Sequence, residues 1–125
     1  MGEKALALFD ALNPINHALT RAQAAKYKGE PYAVAGDVYS GLNAGRAGWT
    51  WYTGAAAWLY KICLEDMLGI RREKDALRIA PMVPFEEYTV KYRYGEAVYI
   101  LHLNGKSRGT VKLEDDGMTH EFTVG

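Results

Sequence analysis

Thr53 and Gly54 stand at the head of an alanine-rich stretch, TGAAAWLY, within the segment GWTWYTGAAAWLY that carries all three tryptophans of the chain. A threonine–glycine pair opening a helix is a set of groups suited to an oxyanion. The first turn of a helix leaves backbone N–H groups unpaired and carries roughly half a positive charge. The threonine hydroxyl can donate to a phosphate oxygen, and glycine, lacking Cβ, lets that oxygen approach the backbone closely. The same two residues have a purely structural use: Thr53 caps its own helix, and Gly54 relieves crowding beside Trp51 and Trp58. The aromatics also read in two ways. Flat indole faces at Trp49 and Trp51, with Tyr52 beside them, can stack on the apolar face of a pyranose ring, while Glu30, Asp37, Asn43 and Arg46 take its hydroxyls. Equally, Trp49, Trp51 and Trp58 can fill a core.

The elements that must hold these residues follow from periodicity. Leu6, Phe9 and Leu12 recur at helical spacing over 3–12, and Asn13-Pro14 stops that segment because a residue before proline avoids the helical region. Thr20 begins a Thr-x-x-Gln capping box with Gln23, predicting a short helix that ends at Gly29. Residues 30–50 hold two brief β-like runs, 32–34 and 37–39, and then a glycine-rich loop. From Thr53 as N-cap, Trp58, Leu59, Ile62, Cys63, Asp66 and Met67 keep a 3.6-residue period up to Gly69, which suits the position just beyond a helix end. A charged turn is expected at 71–75. Beyond it the pattern becomes β, with strands predicted at 77–79, 88–94, 98–103, 110–113 and 121–124. The fold class is therefore α+β, helices first and an antiparallel meander or half-sandwich last, with a helical segment over 1–75 and a β domain over 76–125.

Composition bounds the function. Fifteen basic and fifteen acidic residues cancel, so no broad attraction to nucleic acid or an anionic membrane is written into the 125 residues. No apolar run approaches the roughly 20 residues of a membrane span. Cys63 is the one cysteine, so no disulfide forms within the chain, and a reducing, cytoplasmic setting is expected.

The blocks EPYAVAGDVYS and GRAGWTWYTGAAAWLYKICLEDMLGI, preceded by LNPINHA and followed by LRIAPMVP, resemble the C-terminal part of glycoside hydrolase family 94, the inverting glycoside phosphorylases. The likeness is strongest to the phosphorylase-type domain of cyclic β-1,2-glucan synthases, and it runs from about Leu6 to Tyr99. It implies C-terminal helices of an (α/α)6 barrel followed by a small antiparallel β-sandwich-like sheet. It also implies a reaction in which phosphate, in place of water, attacks an anomeric carbon while a carboxylic acid protonates the leaving oxygen. On this resemblance Thr53 and Gly54 bind phosphate, and Glu30 and Arg46 line or buttress the sugar pocket, to which Trp49 and Trp51 bring the stacking faces read from their residue type. No cofactor is implied beyond inorganic phosphate as co-substrate, and no metal. The implied partners are a β-glucan oligosaccharide, phosphate, and either the missing barrel portion or a second copy.

The resemblance places the family's catalytic Asp, and its basic phosphate ligands, upstream of the segment matching Met1. The expectation is thus a C-terminal fragment that is catalytically incomplete alone, with a small carbohydrate-binding or structural interaction module as the alternative. His17 lies in the NPINHA block, outside the family's phosphate-binding histidine block, and is expected to connect helices. Two departures stand out: Ala47 where relatives often have glycine, and Ala55 where they often have serine.

Overall fold

The computed structural model describes residues 1–51 and 53–125, which form two compact units, one of Lys4–Lys61 and one of Met1–Glu3 with Ile62–Gly125. The content is α+β, as the periodicity predicts.

Helix α1 spans Gly2–Leu12. Its last carbonyls are closed by side chains from the next turn: Asn16 Nδ2 donates to Asp10 O at 2.9 Å and His17 Nε2 meets Ala11 O at 2.6 Å. A carbonyl only accepts, so Nε2 carries the hydrogen, and His17 ties the turn to the helix. Its ring stacks on Tyr27 with centroids 4.9 Å apart. Between them, Asn13 caps a 3₁₀ turn over Pro14–His17 through Ile15 N, with proline at the tolerated first position.

Helix α2, Arg21–Tyr27, begins at the expected cap, with Thr20 Oγ1 accepting from Gln23 N at 3.2 Å. It stops before Gly29 because Lys28 takes the left-handed position, φ 57°. Gly29 serves packing instead: a Cβ there would lie 2.8 Å from the Tyr27 ring and 2.9 Å from Ala47 Cβ. Among the described residues of this unit, Tyr27, Ala33 and Ala47 are buried, as is Pro14. The two expected β runs reduce to a single bridge, Val38 with Ala47. Glycines at 36, 41, 45 and 48 interrupt both partners and leave no length for a ladder.

Helix α3 covers Thr53–Lys61, and the expected long helix does not continue regularly; Ile62–Met67 is a π-helical turn, closed by Leu68 N to Cys63 O at 2.9 Å. One extra residue per turn is invisible to a pattern search tuned to 3.6. Gly69 ends the turn at φ 69°, the left-handed position assigned to it from sequence.

Six strands follow: β1 Ile70–Glu73, β2 Ala76–Ile79, β3 Tyr88–Tyr94, β4 Ala97–Leu103, β5 Gly109–Lys112 and β6 Thr119–Thr123. The expected charged turn at 71–75 is largely β1, paired antiparallel to β2 with Ile70 opposite Ile79. Only its first residue is buried, so its solvent-facing Arg71, Arg72 and Glu73 look like a turn in sequence. The strands make two sheets, ordered β1-β2-β5 and β3-β4-β6. They share one apolar cluster, in which Ile70, Leu77, Ile79 and Val111 of the first sheet meet Val90, Tyr99 and Leu101 of the second.

A meander of antiparallel strands is therefore corrected: β5 joins β2, and β6 lies parallel to β4, with Val98 beside Thr119 and His102 beside Thr123. The segment leaving β5 is pinned by Tyr99, whose hydroxyl donates to Glu114 O at 3.0 Å and accepts from Glu114 N at 2.7 Å. That anchor fixes the chain past Asp116-Gly117 before it can fold back as a hairpin, so the turn signal there serves a crossover. Among the described residues, no helix is long and apolar enough to cross a membrane.

Candidate functional site

Every residue expected to bind phosphate or sugar falls in the Lys4–Lys61 unit. Thr53 and Gly54 form the first turn of α3 and are exposed. A Cβ at Gly54 would meet no atom within 4 Å, so open space lies against the backbone where an anion would approach. The residue preceding the helix, Tyr52, lies outside the described residues.

The tryptophans do not fill the core. Trp49, Trp51 and Trp58 retain 68%, 65% and 66% of their accessible surface, and the interior is made by the small set around Tyr27. The core reading of the indoles fails because, among the described residues, no second layer of this unit packs over them.

Two of the indoles are nonetheless held by specific contacts. Trp51 adopts φ 64°, a left-handed conformation uncommon for a bulky residue. Its Nε1 donates to Glu30 Oε1 at 3.1 Å, and the Tyr32 ring meets it edge-on, centroids 5.8 Å apart. Trp49 is fixed through its backbone: its N–H donates to Asp37 Oδ1 at 3.0 Å, and its carbonyl accepts from Gly36 N at 2.7 Å. Gly48 N donates to Asp37 O at 3.0 Å, so Asp37 receives two successive amides of the loop. Trp49, Gly36 and Asp37 line an open recess of about 360 Å³ with Ala55, which belongs to the first turn of α3. The recess thus connects an indole to the helix mouth.

Arg46 stands apart from this group. Its backbone bridges the loop, accepting from Tyr39 N at 2.9 Å and donating to Asn43 O at 3.0 Å, and its side chain is exposed. Asp37 works as a loop organiser where a sugar ligand was expected. Two residues escaped the sequence reading in their present roles. Tyr32 sat in a presumed β run, and Asp37 in another; the signal available was an aspartate upstream of a glycine-rich loop, which supplies an acceptor for turn amides.

Glu30 is the electrostatic centre. Its own amide, the Trp51 indole and the Thr50 hydroxyl, in that order of weight, hold its carboxyl below the ordinary glutamate range. Oε2 is shielded from solvent and lacks a hydrogen-bond partner among the described residues. A depressed carboxyl pKa stabilises the folded arrangement above the unfolded value and loses that contribution as pH falls through the folded value. The clasp on Trp51 is therefore expected to be complete at neutral pH and to loosen only under acid conditions below about pH 4.3, the usual glutamate value. Tryptophan emission followed from pH 7 downward checks this. The change should vanish in Glu30→Gln, and an identical acid transition in that variant would assign it elsewhere.

Residues 1–69 match the model of the glycosyl hydrolase 94 superfamily, catalytic domain. The chain is 52% identical over 85 residues to a cyclic beta-(1,2)-glucan synthase, NdvB, of Rhizobium meliloti (strain 1021), an alignment covering 67% of this chain and 3% of that protein. It is 34% identical over 95 residues to solabiose phosphorylase of Paenibacillus borealis, covering 70% of this chain and 12% of that enzyme. With N,N'-diacetylchitobiose phosphorylase of Vibrio furnissii it shares 27% identity over 124 residues, 93% of this chain and 15% of the enzyme. The chain thus spans a small part of the length of each of these relatives. With more than half of its 125 residues in the family match, the chain belongs to the glycosyl hydrolase 94 superfamily.

Proposed function

We propose that this chain supplies the phosphate-facing and part of the sugar-facing wall of a carbohydrate-processing catalytic domain of the inverting phosphorylase type. The observation that carries the reading is the open helix mouth at Thr53-Gly54, joined through Ala55 to the recess beneath Trp49. In this reading the Thr53 hydroxyl and the first amides of α3 donate to a phosphate oxygen, and Gly54 leaves room for that oxygen. The Trp51 indole, held by Glu30, offers a flat face to a sugar ring. Arg46 contributes charge from the loop rim. Phosphate attacks the anomeric carbon from the face opposite the leaving oxygen, so configuration inverts. The proton for the leaving oxygen comes from a carboxylic acid outside these 125 residues. The three helices read as the C-terminal helices of an (α/α)6 barrel, with the β unit as its closing sandwich.

The helical unit also carries surface built to be covered. Neither α1 nor α3 has a buried residue, and Leu8, Leu12, Trp58 and Tyr60 are exposed. Apolar surface of this extent marks an interaction face. The remainder of a family 94 catalytic domain fits it, with a second copy of the chain as the alternative occupant.

The test is a chimera in which this chain replaces its aligned segment in the Vibrio furnissii N,N'-diacetylchitobiose phosphorylase. The chimera is expected to release sugar 1-phosphate, and Thr53→Val to raise its KM for phosphate about tenfold, the loss of one hydrogen bond to an anion. Its KM for the disaccharide should hardly move. A folded chimera without phosphorolysis, or a phosphate KM indifferent to Thr53→Val, contradicts the assignment.

A further inference from the structure

The β unit carries a pair of recesses that the phosphorylase reading leaves unused. They flank Asn104 and have volumes of about 490 and 510 Å³, within the range of small-ligand sites. The first is walled by Met82, Pro84, Phe85 and Glu86 on one side and by Gly105 and Lys106 on the other. The second opens between Thr89, His102 and Thr123.

Both are held rigidly. The turn after β4 is pressed onto the segment before β3: Gly105 N donates to Phe85 O at 2.8 Å, and a Cβ on Gly105 would lie 2.6 Å from Val83 O. Phe85 keeps 39% of its surface exposed while its ring packs edge-on against Tyr88 at 5.9 Å, so an apolar facet is displayed in a fixed orientation. Asn104 is fixed by its own turn, with Oδ1 accepting from Lys106 N at 2.8 Å and its backbone N donating to Ser107 Oγ at 2.9 Å. Its Nδ2 keeps two donors with no protein partner among the described residues.

Across the second recess runs a polar chain. His102 Nε2 lies 2.6 Å from Glu121 Oε1, and Nδ1 lies 3.1 Å from Thr89 Oγ1. A carboxylate accepts only, so Nε2 carries a hydrogen, and in the neutral ring Nδ1 accepts from the Thr89 hydroxyl. The Thr89 oxygen then faces the recess as an acceptor with its own hydrogen already committed.

A displayed aromatic facet, an amide with free donors, and an acceptor hydroxyl of fixed polarity suit a ligand with an apolar ring face and many hydroxyls. We propose that the two recesses flanking Asn104 form a second glycan-binding groove, taking an oligosaccharide with Phe85 as its stacking surface and Asn104 and Thr89 as its hydroxyl partners. The choice of a glycan among polyols rests on the family reading above. The groove lies wholly within the β unit.

Amide resonances of the full chain, followed while a linear gluco-oligosaccharide is added, test this. Residues 85–89 and 102–106 are expected to shift together, saturating in the millimolar range. Phe85→Ala should weaken the response at least fivefold, and Phe85→Trp should restore it. Absence of shifts in those segments, or an unchanged titration in Phe85→Ala with the fold intact, overturns the groove. Shifts confined to 49–55 would overturn it while supporting the phosphorylase site; shifts confined to the groove would support it while counting against that site.

Discussion

Replacing Gly69 with alanine is expected to destabilise the β unit by about 3 kcal/mol or more, lowering its melting temperature by roughly 15 °C. Gly69 sits at φ 69° between the π-helical turn and β1, where an L-residue pays for a left-handed backbone. Space forbids the methyl as well: it would lie 2.2 Å from Ala80 C and Pro81 N and 2.4 Å from Ala80 O. These are backbone atoms, so no rotamer change relieves the overlap. The approach is close because Gly69 O accepts from Ala80 N at 2.9 Å, and Met67 O accepts from Met82 N at 3.0 Å and Val83 N at 3.2 Å. Separating those strands of chain would uncover Ile70, which is 1% exposed. Thermal or urea unfolding monitored by circular dichroism reads the loss. A change below about 1 kcal/mol would mean that the junction bends far more easily than its contacts imply.

The second large effect concerns the aromatic loop. Gly48→Ala is expected to detach Trp49 from its support and to destabilise the helical unit by about 1–3 kcal/mol. An added Cβ would fall 2.0 Å from Asp37 Oδ1 and 2.5 Å from Cγ. Asp37 can swing away, but Oδ1 is the acceptor for Trp49 N, and the same residue's carbonyl accepts from Gly48 N. Moving it releases the amides that set the indole over its recess. Hydrogen exchange at the Trp49 amide should accelerate in Gly48→Ala, and less so in Asp37→Asn, whose amide oxygen still accepts. An unchanged exchange rate in Gly48→Ala would show that Asp37 does not hold the loop.

Much of this architecture is legible in the residues themselves. The stop at Asn13-Pro14, the Thr20 cap and the left-handed Gly69 depend on local chemistry, which short segments carry in full. Strand β3 also needed only its own alternation. What escaped depends on partners distant in sequence. β1 hides because three of its four residues face solvent, and its identity is decided by Ile79 across the ladder. The parallel pairing of β6 is decided by Tyr99 gripping Glu114, a contact fifteen residues long in sequence. The π turn escaped because its period differs from the one sought.

The site divides in the same way. Thr53-Gly54 is a local motif, and its exposure at a helix start follows from its residues. Whether the indoles fill a core could not be read from spacing, since burial is a property of what packs over them. The clasp of Glu30 on Trp51 joins residues twenty-one apart, and Tyr32 completes it from a stretch that resembled a strand. The resemblance to family 94 supplied the chemistry; the geometry supplied the positioning residues that the resemblance did not name.

The central claim is that the mouth of α3 holds an oxyanion. Its most direct test is an amide-resolved titration of the chain with inorganic phosphate against sodium chloride at equal ionic strength. The account predicts that Gly54 and Ala55 amides shift with phosphate, beyond any shift in chloride, and that Thr53→Val abolishes the difference. Equal shifts in the two salts at those amides would contradict it.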